Sequence, residues 1–259
     1  MKITALSENY VSKKGLNGEH GLSLFIETEN NKILFDMGQG ETFYRNSVSL
    51  GIDVSEADVA IVSHGHYDHG GGLKIFLEKN KKAPVYVNEN AFGKFYSPNG
   101  FIGLDSAFEK SERIIFTSGE TEISSGVRLY MGSHVELLEE SYSGNLTKEE
   151  ALGRVCDDFL HEQYLLIEEK GKKVLVSGCS HRGVLNIIQK FKPDVFVGGF
   201  HLFSLDAFSG ELEVVAEKLS LQNVVYHTCH CTGIEQFAAM KKNMGEKLSY
   251  LYCGKTIVI

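Results

Sequence analysis

A chain of 259 residues with 42% hydrophobic and 23% charged side chains can bury a sizeable core without needing disulfides. A net charge of -8, with Lys79, Lys81 and Lys82 as the densest basic stretch, argues against a nucleic-acid partner, and no apolar run is long enough to span a bilayer. Met1 to Tyr10 lacks an apolar core followed by a small-residue cleavage site, so no secretory leader is expected; in the cytoplasm thus expected, five cysteines read as thiols or ligands.

Taken in chain order, Leu22 to Ile26 and Lys32 to Phe35 flank the turn residues Glu29-Asn30-Asn31 and predict a hairpin. Asp58 to Ser63 is a short β-rich run, after which Leu73, Phe76 and Leu77 fall at helical spacing. Between that strand and that helix lies Ser63-His64-Gly65-His66-Tyr67-Asp68-His69. The stretch from Phe92 to Leu104, rich in glycine and aromatics, reads as a loop or lid. Tyr164 to Ile167 and Val174 to Val176, around Lys170-Gly171-Lys172, predict a second hairpin that ends at Gly178-Cys179-Ser180-His181. Val184, Leu185, Ile187, Ile188 and Phe191 mark a helix, and Asp194 to Val197 a strand running into Gly198-Gly199-Phe200-His201. Asn223 to Tyr226 repeats the pattern, ending at His227-Thr228-Cys229-His230-Cys231, before a helix with Ile234, Phe237 and Ala238 on one side. Strands deliver histidines and helices follow them. With three prolines and no linker-like stretch, the expected organisation is one domain, residues 1–259, built from two similar halves.

His64, His66, Asp68 and His69 are metal-capable side chains within six residues, a grouping that suits zinc, iron or manganese. Each alone would read as a polar loop residue; together they point to a metal centre. Extended backbone puts His64 and His66 on one side, and a turn toward the helix swings Asp68 and His69 to a second position, so one loop can serve two ions. Gly70-Gly71-Gly72 would allow the close approach that such crowding needs. His227, Cys229, His230 and Cys231 lie too close together in sequence to surround one tetrahedral ion. His134 reads as a surface histidine.

His64-Gly65-His66-Tyr67-Asp68-His69 resembles the HxHxDH signature of the metallo-β-lactamase superfamily, and Leu34-Phe35-Asp36-Met37-Gly38 resembles the strand and aspartate that support it. The resemblance implies a mixed α/β fold, an αββα sandwich, and two divalent metal ions, zinc foremost with iron or manganese as alternatives. Carried over by residue, it places His64 and His66 on one ion and Asp68, His69 and His230 on the other. His181 is the candidate for the remaining ligand, with His161 in reserve. Cys179 stands where many relatives carry a bridging aspartate, and is either a thiolate ligand or a small buried residue. Asp36 is expected to orient ligands. His20-Gly21-Leu22-Ser23, Gly178 to His181, Gly199 to Leu202 and Cys229 to Gly233 further resemble the branch of 7,8-dihydropterin-6-methyl-4-(β-D-ribofuranosyl)aminobenzene-5′-phosphate synthase, described as dihydropteroate-synthase-like.

The expected activity is hydrolysis of an ester or phosphoester small molecule by metal-activated water, with Asp68 orienting the nucleophile and His201 protonating the leaving group or contacting substrate. The rivals are a pterin-diphosphate-dependent transferase and a metal-dependent small-ligand sensor. Nothing specifies a lactam pocket, and the sequence does not fix oligomeric state.

Overall fold

The computed structural model describes residues 1–11 and 13–259. These form two compact units. The first comprises Met1–Ser118, Asn145–Asp157 and Tyr252–Ile259. Its main sheet runs, edge to edge, Thr256–Val258, Lys2–Ser7, Ser23–Glu27, Lys32–Phe35, Val59–Val62, Val85–Asn88 and Ile114–Thr117. The predicted first hairpin is present: Ser23–Glu27 and Lys32–Phe35 pair antiparallel, with Phe25 opposite Leu34. From Lys32–Phe35 onward the pairing is parallel. Strands buried on both faces need continuous apolar runs, and Val59-Ala60-Ile61-Val62 is one. Phe43, Leu73 and Phe76, from the helices Thr42–Ser49 and Leu73–Lys79, are buried with Leu34, Ala60, Val62 and Val85.

The stretch from Phe92 to Leu104, expected as a loop or lid, carries the short strands Phe95–Ser97 and Gly100–Phe101, which pair with each other. Phe95–Ser97 also pairs with Thr147–Glu150, which in turn pairs with Gly153–Cys156. Those partners lie about fifty residues further along and have no apolar alternation to announce them.

The second unit comprises Gly119–Gly144 and Asp158–Leu251. Its sheet runs Leu248–Tyr250, Val225–Thr228, Val195–Gly198, Lys172–Val176, Gln163–Glu169, Val127–Met131 and Glu120–Ser124. The second predicted hairpin is Gln163–Glu169 with Lys172–Val176. Lys172–Val176, Val195–Gly198 and Val225–Thr228 then lie parallel and adjacent, so their carboxyl ends open on the same edge of the sheet. In parallel sheets that edge is where ligands collect.

Helix Val184–Phe191 buries the predicted face. Helix Ile234–Met244 does not: Gln236, Met240 and Met244 are buried, Phe237 is half-buried and Ala238 is exposed. Gln236 is drawn in because its amide donates to the carbonyls of Phe203 (3.3 Å) and Leu205 (2.6 Å), a tertiary partnership that outranks apolar spacing. Among the described residues, no helix is long and apolar enough to cross a membrane.

Candidate metal centre

In the first unit the histidine loop begins where Val59–Val62 ends. His66 caps a one-turn helix, Tyr67–Gly70, and is itself in extended conformation (φ -100°, ψ 145°). This switch from extended to helical backbone gathers the imidazoles: the His64 ring centroid is 4.6 Å from that of His66 and 4.1 Å from that of His69. His64, His66, Asp68 and His69 are all buried. His20 approaches Asp68 from the neighbouring segment, Nε2 to Oδ2 at 3.3 Å.

The glycines act through close approach. A Cβ on Gly71 would lie 2.3 Å from the Gln39 carbonyl oxygen, and one on Gly72 would lie 2.3 Å from that of Met37. Only bare backbone lets the loop press against residues 37–39, where Met37 N donates to the His69 carbonyl at 2.7 Å.

Asp36, fully buried and at φ 60°, holds this loop from beneath. One carboxylate oxygen accepts from Ser63 N at 2.6 Å; the other accepts from Ser63 Oγ and from His69 Nδ1, each at 2.7 Å. Because Ser63 spends its single hydroxyl proton on Asp36, its contact with His64 Nδ1 at 2.8 Å requires the imidazole to donate. His64 and His69 therefore both carry their protons on Nδ1. With the proton there, a neutral ring keeps its lone pair on Nε2, the form that binds a cation.

In the second unit the corresponding brace is Glu162, also fully buried. It accepts from His181 N at 2.8 Å, Arg182 N at 3.3 Å and the Tyr164 hydroxyl at 2.5 Å. Burial pushes its carboxyl upward, while these hydrogen bonds and His161 pull the other way. The Arg182 guanidinium donates to the carbonyls of Asp158 and Val135 at 2.6 and 2.9 Å, tying down the same loop. The His181 ring stacks on Phe159 (4.5 Å, 4° between planes), with Ser143 Oγ 3.2 Å from its Nδ1. His161, the reserve ligand, is also buried, 6.0 Å from the Phe159 ring.

The His201 ring lies 4.1 Å from that of His181, and its Nδ1 is buried without a hydrogen-bond partner. Cys179, His201 and Cys231 bring one ligand atom each to within 4.8 Å of one another. Burial by itself would raise the Cys231 thiol. Hydrogen bonds with Cys179 and His201, and the charges of His230 and His201, outweigh it and hold the thiol well below its ordinary value. His230 is buried in the turn His230–Thr232 at φ 50°. His227 is spoken for by Ser249, Nδ1 to Oγ 2.6 Å. His134 is half-buried, its Nδ1 3.2 Å from the Met131 carbonyl.

A family model described as the Metallo-beta-lactamase superfamily matches residues 16–141. The chain is also 30% identical over 288 residues to 7,8-dihydropterin-6-methyl-4-(beta-D-ribofuranosyl)-aminobenzene-5'-phosphate synthase of Methanocaldococcus jannaschii, covering 99% of this chain and 96% of that protein. The chain belongs to the metallo-β-lactamase superfamily. A solved structure, Tm1679, described as a metal-dependent hydrolase of the beta-lactamase superfamily, matches with TM-score 0.85 at 29% identity, covering 100% of this chain and 99% of that one. Zinc-bound PqqB from Methylobacterium extorquens shares the fold, with TM-score 0.63 at 11% identity and full coverage of both chains.

The expected fold class is thus the observed one: mixed α/β, of the metallo-β-lactamase type. Metallo-β-lactamase folds generally bind divalent metals, and the donor set fits them, with buried imidazoles whose protons are fixed on the far nitrogen. Sequence reasoning gave Ser63 no role of its own and passed over Glu162. Ser63 was detectable as the hydroxyl beside the first histidine. Glu162 carries no such signal, since a single glutamate ahead of an apolar strand ordinarily faces solvent.

Proposed function

We propose that this chain is a metal-dependent hydrolase of a small ester or phosphoester. Two divalent ions, zinc foremost, would be held by His64, His66, Asp68 and His69 with His181 and His230, the set the family pattern implies. One observation carries the reading: a buried His64 imidazole flanked by those of His66 and His69, with the Nδ1 protons of His64 and His69 committed to Ser63 and Asp36. A structural histidine cluster has no need of fixed tautomers, whereas cation ligands do.

Bound ions would supply Lewis-acid polarisation of a substrate oxygen and a water of lowered pKa. Asp36 and Ser63 hold the imidazoles of His69 and His64 by Nδ1 and so aim their Nε2 atoms. Asp68, whose carboxylate reaches toward both His20 and His69 (3.3 and 3.6 Å), orients the attacking water. Replacing His66 by alanine should remove metal from the purified protein and lower hydrolysis of an ester and phosphoester panel by more than about a hundredfold, beyond what loss of an outer-shell partner usually costs. Unchanged metal content would overturn the assignment.

The 30%-identical relative is named a synthase of a dihydropterin-methyl-ribofuranosylaminobenzene phosphate, which favours a second reading: a transferase that couples a pterin diphosphate to an arylamine. Mass detection of a coupled product from metal-replete protein, with no phosphoester hydrolysis, would select it; absence of product would dismiss it.

A further inference from the structure

We propose that Phe203, in the second unit, is an aromatic wall of the substrate site and selects substrates that carry a flat aromatic ring. The proposal rests on the hydrolase reading and narrows its substrate class.

Three observations carry the proposal. The first is a row of rings that starts in the core and ends in solvent. Phe159, which is buried, stacks on His181 at 4.5 Å, and the His181 ring lies 4.1 Å from that of His201. His201 in turn meets Phe203 edge to face, at 5.2 Å with 79° between planes, and Phe203 is 52% exposed. Aromatic rings pair edge to face or offset-stacked at centroid separations of roughly 4.5–7 Å, so the open end of the row accepts one more ring. The second observation is position. The loop bearing His201 and Phe203 leaves the carboxyl end of Val195–Gly198, on the sheet edge where ligands collect.

The third is rigidity. Phe200 N donates to Thr232 Oγ1 at 2.8 Å, and Leu202 N and Phe203 N both donate to the Cys231 carbonyl, at 3.1 and 3.2 Å. The Phe203 carbonyl accepts from Gln236 Nε2 at 3.3 Å. Gly199 lets the loop lie close to its neighbour, since a Cβ there would lie 2.3 Å from Cys231 Sγ. His201 holds a left-handed conformation at φ 51°, which non-glycine residues avoid unless the surroundings impose it. The backbone of Phe203 is thus fixed while its ring stays in water. A wall held in place before the ligand arrives loses little entropy on binding.

Benzyl phosphate and cyclohexylmethyl phosphate, alike in charge and close in size, test the wall on the zinc-loaded full chain. Isothermal titration gives the ratio of their affinities, and phosphate release gives the ratio of their kcat/KM values. F203A should lower the affinity ratio, benzyl over cyclohexylmethyl, by about three- to tenfold, the range that one aromatic pair supplies. F203L, which fills space without a π face, should lower it as F203A does, and F203Y should restore it. F208A removes another exposed phenyl of the same loop, 90% exposed, and should leave the ratio at its wild-type value. Binding of neither compound by the wild type overturns the proposal, as does a ratio unchanged in F203A. A ratio retained by F203L overturns it too, since shape and not aromaticity would then be read. Binding with a Phe203-dependent ratio but no phosphate release defeats the hydrolase reading alone. Hydrolysis of both compounds with a ratio indifferent to Phe203 defeats this proposal alone.

Discussion

Asp36 in the first unit and Glu162 in the second do similar work by different means. Both are fully buried carboxylates beside a histidine-bearing loop, and each accepts hydrogen bonds from that loop. Asp36 reaches a side chain: it accepts from His69 Nδ1 and, through Ser63, sets the proton on His64 as well. Glu162 accepts from backbone amides in its loop, at His181 and Arg182, while the His181 ring stacks on Phe159 and lies beside Ser143. A carboxylate placed against an imidazole tunes ligand chemistry, whereas one placed against amides holds a loop in place and leaves its rings to their neighbours.

Substitutions at three positions would break or sharpen that contrast. Asp36→Ala has the largest expected effect, because it strands Ser63 N, Ser63 Oγ and His69 Nδ1 in a dry interior. The metal-free protein should lose about 3 kcal/mol in chemical denaturation, and metal affinity should fall roughly ten- to a hundredfold. If both quantities stay at wild-type values, Asp36 tunes nothing.

Glu162→Ala should cost about 2 kcal/mol through two unsatisfied amides and the Tyr164 hydroxyl. Glu162→Gln, which keeps one acceptor oxygen, should recover about half of that. Isothermal titration with zinc should show a smaller affinity loss for Glu162→Ala than for Asp36→Ala. The reverse order would mean that bracing the backbone matters more than fixing tautomers.

Ser209→Ala is expected to be smallest. Ser209 Oγ caps helix Gly210–Ser220 by accepting from Leu212 N at 3.2 Å, and its loss should cost about 1 kcal/mol without altering metal content. A change in bound zinc would show that helix ends in the second unit communicate with its loops, against the local picture drawn above.

Where the chain could be read directly, short-range periodicity was the reason. Both hairpins announce themselves by apolar runs around polar turns, and His64, His66, Asp68 and His69 are so close in sequence that their chemistry needed no fold to reveal it. What was missed depends on distant partners. The strand Phe95–Ser97 exists because Thr147–Glu150 pairs with it, and Gln236 is buried because Phe203 and Leu205 offer carbonyls. Cys231 presents the same lesson at a site. Beside His230 it looks like part of an overcrowded strand end, and only the loops after two other strands supply Cys179 and His201 as its companions.

Gly199 carries a consequence for descent. A side chain at that position would collide with the sulfur at position 231, so the two residues cannot drift independently. Any relative that has gained a side chain at 199 should have given up cysteine at 231 for something smaller, and one that keeps the cysteine should keep the glycine. Tracking that pair through the superfamily would show whether the two positions change together.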